Sequence, residues 1–297
     1  MYKEGRAVFE EAVMKDGEQV SVLLKQAALT LREAGIQERQ AQVDAEILLS
    51  GAMGIKRSKL PFIAAQQPTS RQFDLFSLYI QRRSKREPTY YILGKCEFMG
   101  LEFEVNKDVL IPRMETEILV QTAIEIIKER CKTSLLDLCC GSGAIAISAA
   151  CLSHLEKITA VDVSQEAISL SKKNAAALFS GQIDFILGNM FEPLGNSKFD
   201  ILASNPPYIA LSERQNLDPE LAFEPQTALF APNGGLFFYK KIAENARDRL
   251  NKGGHILVEL NSGLSAQIQE LFLENGFKNL EIIKDYSHLD RVLWIKS

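Results

Sequence analysis

Asn205-Pro206-Pro207-Tyr208 directly follows the apolar run Phe199-Asp200-Ile201-Leu202-Ala203-Ser204. The run is typical of a short buried strand, and the prolines end it because neither can donate a backbone hydrogen bond. Since proline also fixes φ, the turn is predicted to be stiff, with unpaired carbonyls. A planar amide or exocyclic amine on the Tyr208 ring could donate its two N–H groups to the Asn205 side-chain oxygen and the Pro206 carbonyl. A loop that merely contains two prolines is the alternative.

Around this run, residues from Ser134 onward alternate between strand-like and helix-like patterns. The alternation predicts an α/β fold with a doubly wound parallel sheet. The predicted strands cover residues 135–138, 158–162, 183–187, 199–204 and 255–260, with a final pair at 279–284 and 292–295. The predicted helices cover residues 144–152, 166–178, 236–250 and 265–275.

The chain before this region has a different pattern. Amphipathic segments with short connections predict a small helical bundle, and they cover about residues 20–35, 41–51, 56–60 and 70–85. Residues 1–19 have weak periodicity, which fits a helix or a loose arm. Residues 101–105 alternate as a half-buried strand, so a β-hairpin is predicted after Glu87-Pro88. The stretch 111–117 is predicted to open a further helix, which starts near Pro112 or Thr116 and runs to about Lys132.

Composition narrows the class of protein. The 297 residues are 46% hydrophobic and 24% charged, as in a globular chain of about two domains. The chain has no apolar stretch of roughly 18 residues and no signal-peptide layout, so a cytoplasmic location without a membrane partner is predicted. Five cysteines without C-x-x-C spacing indicate reduced thiols. Three histidines and no H-E-x-x-H motif argue against a catalytic metal.

Charge is distributed unevenly along the chain. Residues 1–86 contain 14 Lys and Arg against 10 Asp and Glu, whereas residues 87–297 contain 20 against 28. A basic small domain beside an acidic large one indicates different partners for the two, although two ordinary solvated surfaces would give the same counts. Only Arg82-Arg83-Ser84-Lys85-Arg86 resembles a nucleic-acid-binding arm, and it is short enough to be a linker.

The predicted cofactor site lies at the carboxyl ends of the strands, where the strand order of such sheets reverses. The groups expected there are Asp137 with the turn 139–143, then Asp162, Asn189-Met190 and Asn205. Asp162 can accept both hydroxyls of a ribose, and the glycines of the turn let a ligand approach the backbone. Because the chain lacks both G-x-G-x-x-G and a basic P-loop, a phosphate-free nucleoside fits best. S-adenosyl-L-methionine is the predicted cofactor.

Taken together, the motifs resemble those of the bacterial glutamine methyltransferases that modify peptide chain release factors, the HemK/PrmC family. The resemblance covers nearly the whole chain, and N-P-P-Y is combined with the more specific motif Ile111-Pro112-Arg113-Met114-Glu115-Thr116-Glu117. Further matching positions are the helical N-terminal part, 87–94, Phe98, 137–143, Asp162, Glu224-Pro225, Asp285 and Arg291.

The resemblance implies a Rossmann-like, seven-stranded class I methyltransferase domain over residues 111–297. It implies a helical substrate-docking domain over residues 1–86 and a β-hairpin linker over residues 87–110. The expected partners are class 1 release factors, with no direct nucleic-acid binding, and the chain is expected to be a monomer.

The resemblance also implies roles for single residues. The expected cofactor-binding residues are Cys139, Cys140, Gly141, Ser142, Gly143, Asp162 on the ribose, Met190 near the adenine and Asn205 near the methionine end. The glutamine of the release-factor Gly-Gly-Gln loop is expected to lie against Asn205, Pro206, Pro207 and Tyr208, with Phe98 in the wall of that pocket. Asn205, Pro206 and Tyr208 are the expected catalytic residues.

The chain departs from the family pattern at several positions. Cys139 stands where the family has the first glycine of Gly-x-Gly-x-Gly, and Met114 stands where proline is usual. Glu259-Leu260-Asn261-Ser262 replaces the usual Glu-Ile-Gly, and Ser287-His288 lies where a glycine is common.

Three other functions remain open from the sequence. An N6-adenine nucleic-acid methyltransferase could use the same pocket on a flipped base, but the acidic residues 87–297 offer it no basic groove. A ribosomal-protein glutamine methyltransferase would share the pocket and differ mainly in the N-terminal domain. A cofactor-binding adaptor without activity is the non-enzymatic alternative, and the intact motif 205–208 argues against it.

Overall fold

The computed structural model describes residues 14–297, except for the side chain of Asn216. Part of the predicted N-terminal arm, residues 1–13, lies outside the described residues. The chain forms two compact units, which are separated between Leu93 and Gly94. Within residues 14–297, no helix is long and apolar enough to cross a membrane.

The unit that ends at Leu93 is helical, as predicted. Its helices are α1 (Val20–Glu33), α2 (Glu38–Met53), α3 (Ser70–Ser84) and α4 (Thr89–Leu93), with a 3-10 segment at Arg57–Ile63. Helix α3 begins at a capping box, in which Thr69 Oγ1 accepts from the Gln72 N–H and the Gln72 side chain accepts from the Thr69 N–H. The apolar faces of these helices pack around Leu23, Leu48 and Phe76 in a core of their own.

Two details of this unit differ from the prediction. Helix α2 continues through Gly51, where a Cβ would lie 2.5 Å from Leu93 Cδ2, so close packing explains that glycine. The helix ends instead at Gly54, whose φ of 67° is left-handed. Residues 89–93, predicted to lead into the hairpin, form helix α4 because two backbone N–H groups donate to the Pro88 carbonyl.

The basic segment Arg82–Arg86 is not a free arm or a linker, because it lies at the end of α3 and its arginines bind within the helical unit. Arg82 pairs with Glu87 at 2.6 Å, and the buried Arg83 pairs with Asp44 at 2.7 Å. Arg86 donates to a backbone carbonyl at 2.7 Å. These contacts stabilise the helical unit.

The second unit, Gly94–Ser297, is a mixed α/β fold. Its strands are β1 (Lys95–Phe98), β2 (Leu101–Glu104), β3 (Ser134–Leu138), β4 (Lys157–Asp162), β5 (Asp184–Leu187), β6 (Phe199–Ser204), β7 (Ile209–Ala210), β8 (Phe230–Ala231), β9 (Leu250–Glu259), β10 (Asn279–Lys284) and β11 (Asp290–Lys296). Its helices are α5 (Thr116–Arg130), α6 (Ala144–Leu152), α7 (Gln165–Leu178), α8 (Gln226–Leu229), α9 (Phe237–Asn245) and α10 (Ser265–Glu274).

Seven of these strands form one sheet in the order β10-β11-β9-β6-β3-β4-β5, which confirms the predicted fold class. Strands β3, β4, β5, β6 and β9 are parallel, and β11 is antiparallel to both of its neighbours. All five residues of β3 are buried, as expected of a central parallel strand. The chain continues from β3 to β4 on one side and returns to β6 on the other. The carboxyl ends of β3 and β6 therefore flank the point where the strand order reverses.

The end of the sheet is less regular than the sequence predicts. Helix α9 ends at Asn245, not near residue 250, and β9 begins at Leu250. The pairing of β6 with β9 shifts register between Phe199 and Ile201, and Asn251 Nδ2 donates to Asp200 Oδ1 at 3.0 Å. This irregular pairing extends the strand into a region whose sequence has a helical pattern.

The predicted hairpin is present as β1 and β2, which pair antiparallel between Lys95 and Glu104. Phe98 is fully buried there, with its ring edge-on to Phe103 at 6.1 Å between centroids. Phe98 therefore belongs to the packing of the hairpin.

Candidate active site

A cleft with about 670 Å³ of empty space lies at the carboxyl ends of the central strands. The predicted residues that line it are Cys139, Gly141, Asp162, Asn189, Met190, Asn205 and Pro207. Wall residues that the sequence did not indicate include Asp108, Leu110, Thr227, Ala228 and Phe238. Among the described residues, the lining includes the acidic residues Asp108 and Asp162 and no lysine or arginine. The cleft therefore suits a neutral or cationic ligand better than a phosphate.

The turn after β3 reaches the cleft mainly through its backbone. Gly141 has a φ of 53°, and a Cβ there would meet no heavy atom within 4 Å. Gly143 has a φ of 80°, and a Cβ there would lie 2.8 Å from Ile147 Cδ1. Cys140, Ser142 and Gly143, which were expected to bind the cofactor, do not line the cleft; they form the support behind it.

Cys139 occupies a left-handed position with a φ of 62°, which explains why a glycine suits this place in the turn. Its Sγ lies 3.7 Å from the Sδ of Met190, which also has a positive φ, of 49°. Burial, together with the nearby Asp162 and Asp137, raises the pKa of the Cys139 thiol. The thiol is therefore neutral and contributes to the wall by packing.

Asp162 is held at the end of β4 by two backbone hydrogen bonds. Its Oδ2 accepts from the Gly141 N–H at 2.8 Å, and its Oδ1 accepts from the Ser164 N–H at 3.0 Å. Burial raises the pKa of this carboxyl, and the backbone donors act against that shift. Each carboxylate oxygen can accept more than one hydrogen bond, so the group can also accept from ligand hydroxyls.

A second cavity, with about 550 Å³ of empty space, adjoins the first. Its lining includes Arg113, Pro206 and Tyr208. Asn205, together with Leu110 and Ala228, lines both cavities. Phe98, expected in the wall of the substrate pocket, lines neither of them. Burial and the charge of Glu259 raise the pKa of the Tyr208 phenol, so its hydroxyl group stays protonated at neutral pH.

Asn205 is the first member of a hydrogen-bonded series that runs into the core. Its Nδ2 donates to Thr116 Oγ1 at 3.1 Å, and the Thr116 hydroxyl donates to Glu259 Oε2 at 2.6 Å. Thr116 is 4% exposed and Glu259 is 1% exposed. Within residues 14–297, the structure gives neither Asn205 Oδ1 nor the Pro206 carbonyl a protein donor. Asn205, which lines both cavities, and Pro206, which lines the second, therefore each carry an acceptor without a protein donor among the described residues.

Glu259 is a buried carboxyl at the end of β9. Burial raises its pKa to about 7, while the Thr116 hydrogen bond and the charges of Arg291 and Arg113 act against that shift. No sequence motif indicated a functional role for Thr116 or Glu259, although both lie in stretches that are compared with the family pattern. They are 143 residues apart, so no local period or spacing could have joined them.

Glu224 fixes the loop that follows the hairpin. Its carboxylate is 2% exposed and accepts from Arg113 Nη2 at 2.5 Å, and it also accepts from the Ile111 N–H at 3.3 Å. Arg113 lines the second cavity, and Pro225 lines the first. This ion pair therefore joins the walls of the two cavities.

The described residues offer no obvious metal centre. Between positions 14 and 297, no group of three His, Cys, Asp or Glu side chains is arranged to hold an ion.

Two family models match the chain: the PrmC N-terminal domain over residues 22–94 and the methyltransferase small domain over residues 115–238. A release factor glutamine methyltransferase from Thermodesulfovibrio yellowstonii is 38% identical, over 76% of this chain and 82% of its own length. The enzyme of the same name from Geobacter sulfurreducens is 36% identical, over 89% and 91%.

Among solved structures, a 16S rRNA N2 G1207 methyltransferase from T. thermophilus, in complex with AdoMet and guanosine, is similar to this chain with a TM-score of 0.50. The alignment covers 68% of this chain and 49% of that one at 17% identity. At this level of identity, the similarity shows a shared fold.

Proposed function

Because the chain belongs to the family of release factor glutamine methyltransferases, we propose that it methylates the glutamine of the Gly-Gly-Gln motif in class 1 release factors. The methyl group would pass from S-adenosyl-L-methionine to the side-chain amide nitrogen. The observation that carries this proposal is a pair of acceptors without a protein donor among the described residues: Asn205 Oδ1, on a residue that lines both cavities, and the carbonyl of Pro206, which lines the second.

The first cleft fits S-adenosyl-L-methionine. Asp162 would accept the ribose hydroxyls, Gly141 would let the ligand approach the backbone, and Met190 would contact the adenine. The two carboxylates in the lining and the lack of a basic side chain there suit a sulfonium ligand without phosphate. When bound, this cofactor supplies a methyl group already activated by the positive sulfur.

The second cavity would hold the glutamine amide. A primary amide nitrogen is a weak nucleophile because its lone pair is delocalised into the carbonyl. Asn205 Oδ1 and the Pro206 carbonyl would accept its two hydrogens, which orients the nitrogen lone pair towards the first cavity. Positive charge that develops on the nitrogen would then be stabilised by both oxygens. Tyr208 would keep the amide plane oriented and dry, and the proton can leave after transfer.

The remaining parts of the proposal concern the whole chain. The helical unit would dock the release factor, and the second unit would carry the catalytic site. We expect a cytoplasmic monomer that binds no nucleic acid directly.

The direct test is transfer of label from S-adenosyl-L-methionine to purified release factor. We expect label on the wild-type factor and none on a factor whose Gly-Gly-Gln glutamine is replaced by alanine. Equal label on both factors would place the methyl group elsewhere and contradict the proposal. If neither factor is labelled while the cofactor still binds, the next substrates to test are ribosomal protein and nucleic acid. Cofactor binding without transfer to any of them would favour an inactive adaptor.

The support behind Tyr208 gives a further prediction. Gly235 has a φ of 92°, and a Cβ there would lie 2.4 Å from the Tyr208 carbonyl oxygen. Gly235→Ala should therefore displace the 205–208 turn and lower methyl transfer by about tenfold or more, because displacements of about 1 Å can cost about 10²-fold. Gly234→Ala is the matched control, since Gly234 has a φ of 64° but no heavy atom within 4 Å of the added Cβ. Similar rates for the two variants would show that the close contact is unimportant.

A further inference from the structure

The orientation of the Asn205 amide decides whether the proposed scheme can work. An amide has an oxygen on one side and a nitrogen on the other, and only the oxygen can accept a hydrogen from a substrate amide. In the structure, Nδ2 is turned to Thr116 and Oδ1 has no protein donor among the described residues. Something must favour this orientation over its reverse.

We propose that Thr116 and Glu259 are positioning residues that fix the orientation of the Asn205 side chain. An ionised carboxylate has no hydrogen to donate, so the Thr116 hydroxyl must donate to Glu259. The hydroxyl oxygen can then only accept from Asn205, and the one group at Asn205 that can donate is Nδ2. The Asn205 oxygen is thereby left facing the cavities. The effect of this positioning on catalysis rests on the proposed function.

The burial of the series supports this role. Thr116 and Glu259 are almost completely buried, so no bulk water competes for their hydrogen bonds. The carbonyl of Glu259 accepts from the Tyr239 hydroxyl at 2.8 Å, which fixes the backbone beneath the carboxylate. The side chain of Asn205 is thus held from a rigid strand end.

The donors and acceptors in the hydrogen bonds between Asn205, Thr116 and Glu259 should exchange when Glu259 is protonated. A protonated carboxyl can donate to the Thr116 oxygen, so the Thr116 hydroxyl can donate to Asn205 Oδ1 and turn the amide around. With a pKa of about 7, Glu259 is ionised above neutral pH and protonated below it. The charged and titratable groups that act on Glu259 are Arg113 and Glu115 before α5, Arg291 of β11, Tyr208 of the turn and Tyr239 of α9. Of these, the two tyrosines have raised pKa values and remain neutral near pH 7.

Thr116→Val and Thr116→Ser test the hydroxyl, because valine keeps the shape and serine keeps the hydrogen bonds. We expect Thr116→Val to lower kcat by about 10- to 100-fold, by analogy with residues whose hydrogen bonds orient metal ligands. Thr116→Ser should stay within a few-fold of the wild type, and the Kd of the cofactor should be unchanged in both. If Thr116→Val is as active as the wild type, or if Thr116→Ser loses as much as Thr116→Val, the proposal is overturned.

The pH dependence provides a second, independent readout. We expect wild-type kcat to fall about tenfold per pH unit below about pH 7, and we expect the kcat of Glu259→Gln not to fall in this range.

The NMR signals of the Asn205 side-chain NH₂ group, recorded on Asn-labelled enzyme without substrate, should titrate with a midpoint near pH 7 in the wild type and in Thr116→Ser, but not in Glu259→Gln. Signals that titrate alike in all three proteins would overturn the positioning role. Because the spectra need no methyl acceptor, they test the series even if the release factor is not methylated.

Discussion

Asn205→Ala should lower methyl transfer to the release factor by about 10²–10³-fold while the cofactor still binds. This is the range for removing one preorganised group that stabilises charge in a transition state. Asn205 lines both cavities and its oxygen is one of the two proposed acceptors, so its loss leaves one hydrogen of the substrate amide without a partner. The comparison to make is single-turnover rate at saturating cofactor, with cofactor Kd measured by titration.

Asn251→Ala is a suitable control for this variant. Asn251 is also half-buried and also donates from Nδ2, but its partner is Asp200, which lies in β6 away from the motif. The control should keep nearly full activity. Near-normal turnover by Asn205→Ala, with cofactor bound, would rule out the proposed arrangement of acceptors.

Arg113→Ala should lower the free energy of unfolding of the second unit by about 1–3 kcal/mol, because it removes the charged hydrogen-bond donor of the buried Glu224 carboxylate. Glu224 is only 2% exposed while Arg113 covers it, and Arg113 is 33% exposed, so water can replace the guanidinium only in part. Urea unfolding of the purified protein measures the effect. Adding Glu224→Gln to Arg113→Ala should restore part of the loss, since an uncharged amide is less costly to bury.

Lys173→Ala is the matched control for this ion pair. Lys173 pairs with Glu104 at 2.6 Å, a similar distance, but the two side chains are 65% and 42% exposed. Exposed pairs contribute about 0–1 kcal/mol, so this variant should be nearly neutral. If Arg113→Ala and Lys173→Ala destabilise the protein equally, burial of Glu224 is not the cause.

Much of the second unit could be predicted from local sequence. Strand 199–204 and helix 144–152 have the predicted bounds, because a short apolar run ended by proline and a run of small apolar residues leave few other choices. The periodicity of the first unit likewise predicted α1, α2 and α3, but not the short helix α4. Glycine was less informative there, since Gly51 looked like a helix end and instead makes room for Leu93.

What could not be predicted depends on contacts between distant parts of the chain. The short strands β7 and β8 have two residues each, too few to show a period. The contacts of Asn205 with Thr116, and of Thr116 with Glu259, join three separate stretches. The turn 139–143 was predicted to bind through all five residues, but only Cys139 and Gly141 line the cleft, since neighbouring residues of a tight turn point in different directions.

The rigid turn at Asn205-Pro206 has a consequence for which substrate side chain can be methylated. Two prolines hold its backbone, the Ser204 hydroxyl donates to the Leu138 carbonyl at 2.8 Å, and Gly235 packs against Tyr208. A turn held in this way cannot shift towards a substrate with a shorter side chain. An asparagine amide would stop one carbon–carbon bond, about 1.5 Å, short of both acceptors. The enzyme would therefore distinguish glutamine from asparagine by reach alone, although the two amides are chemically the same.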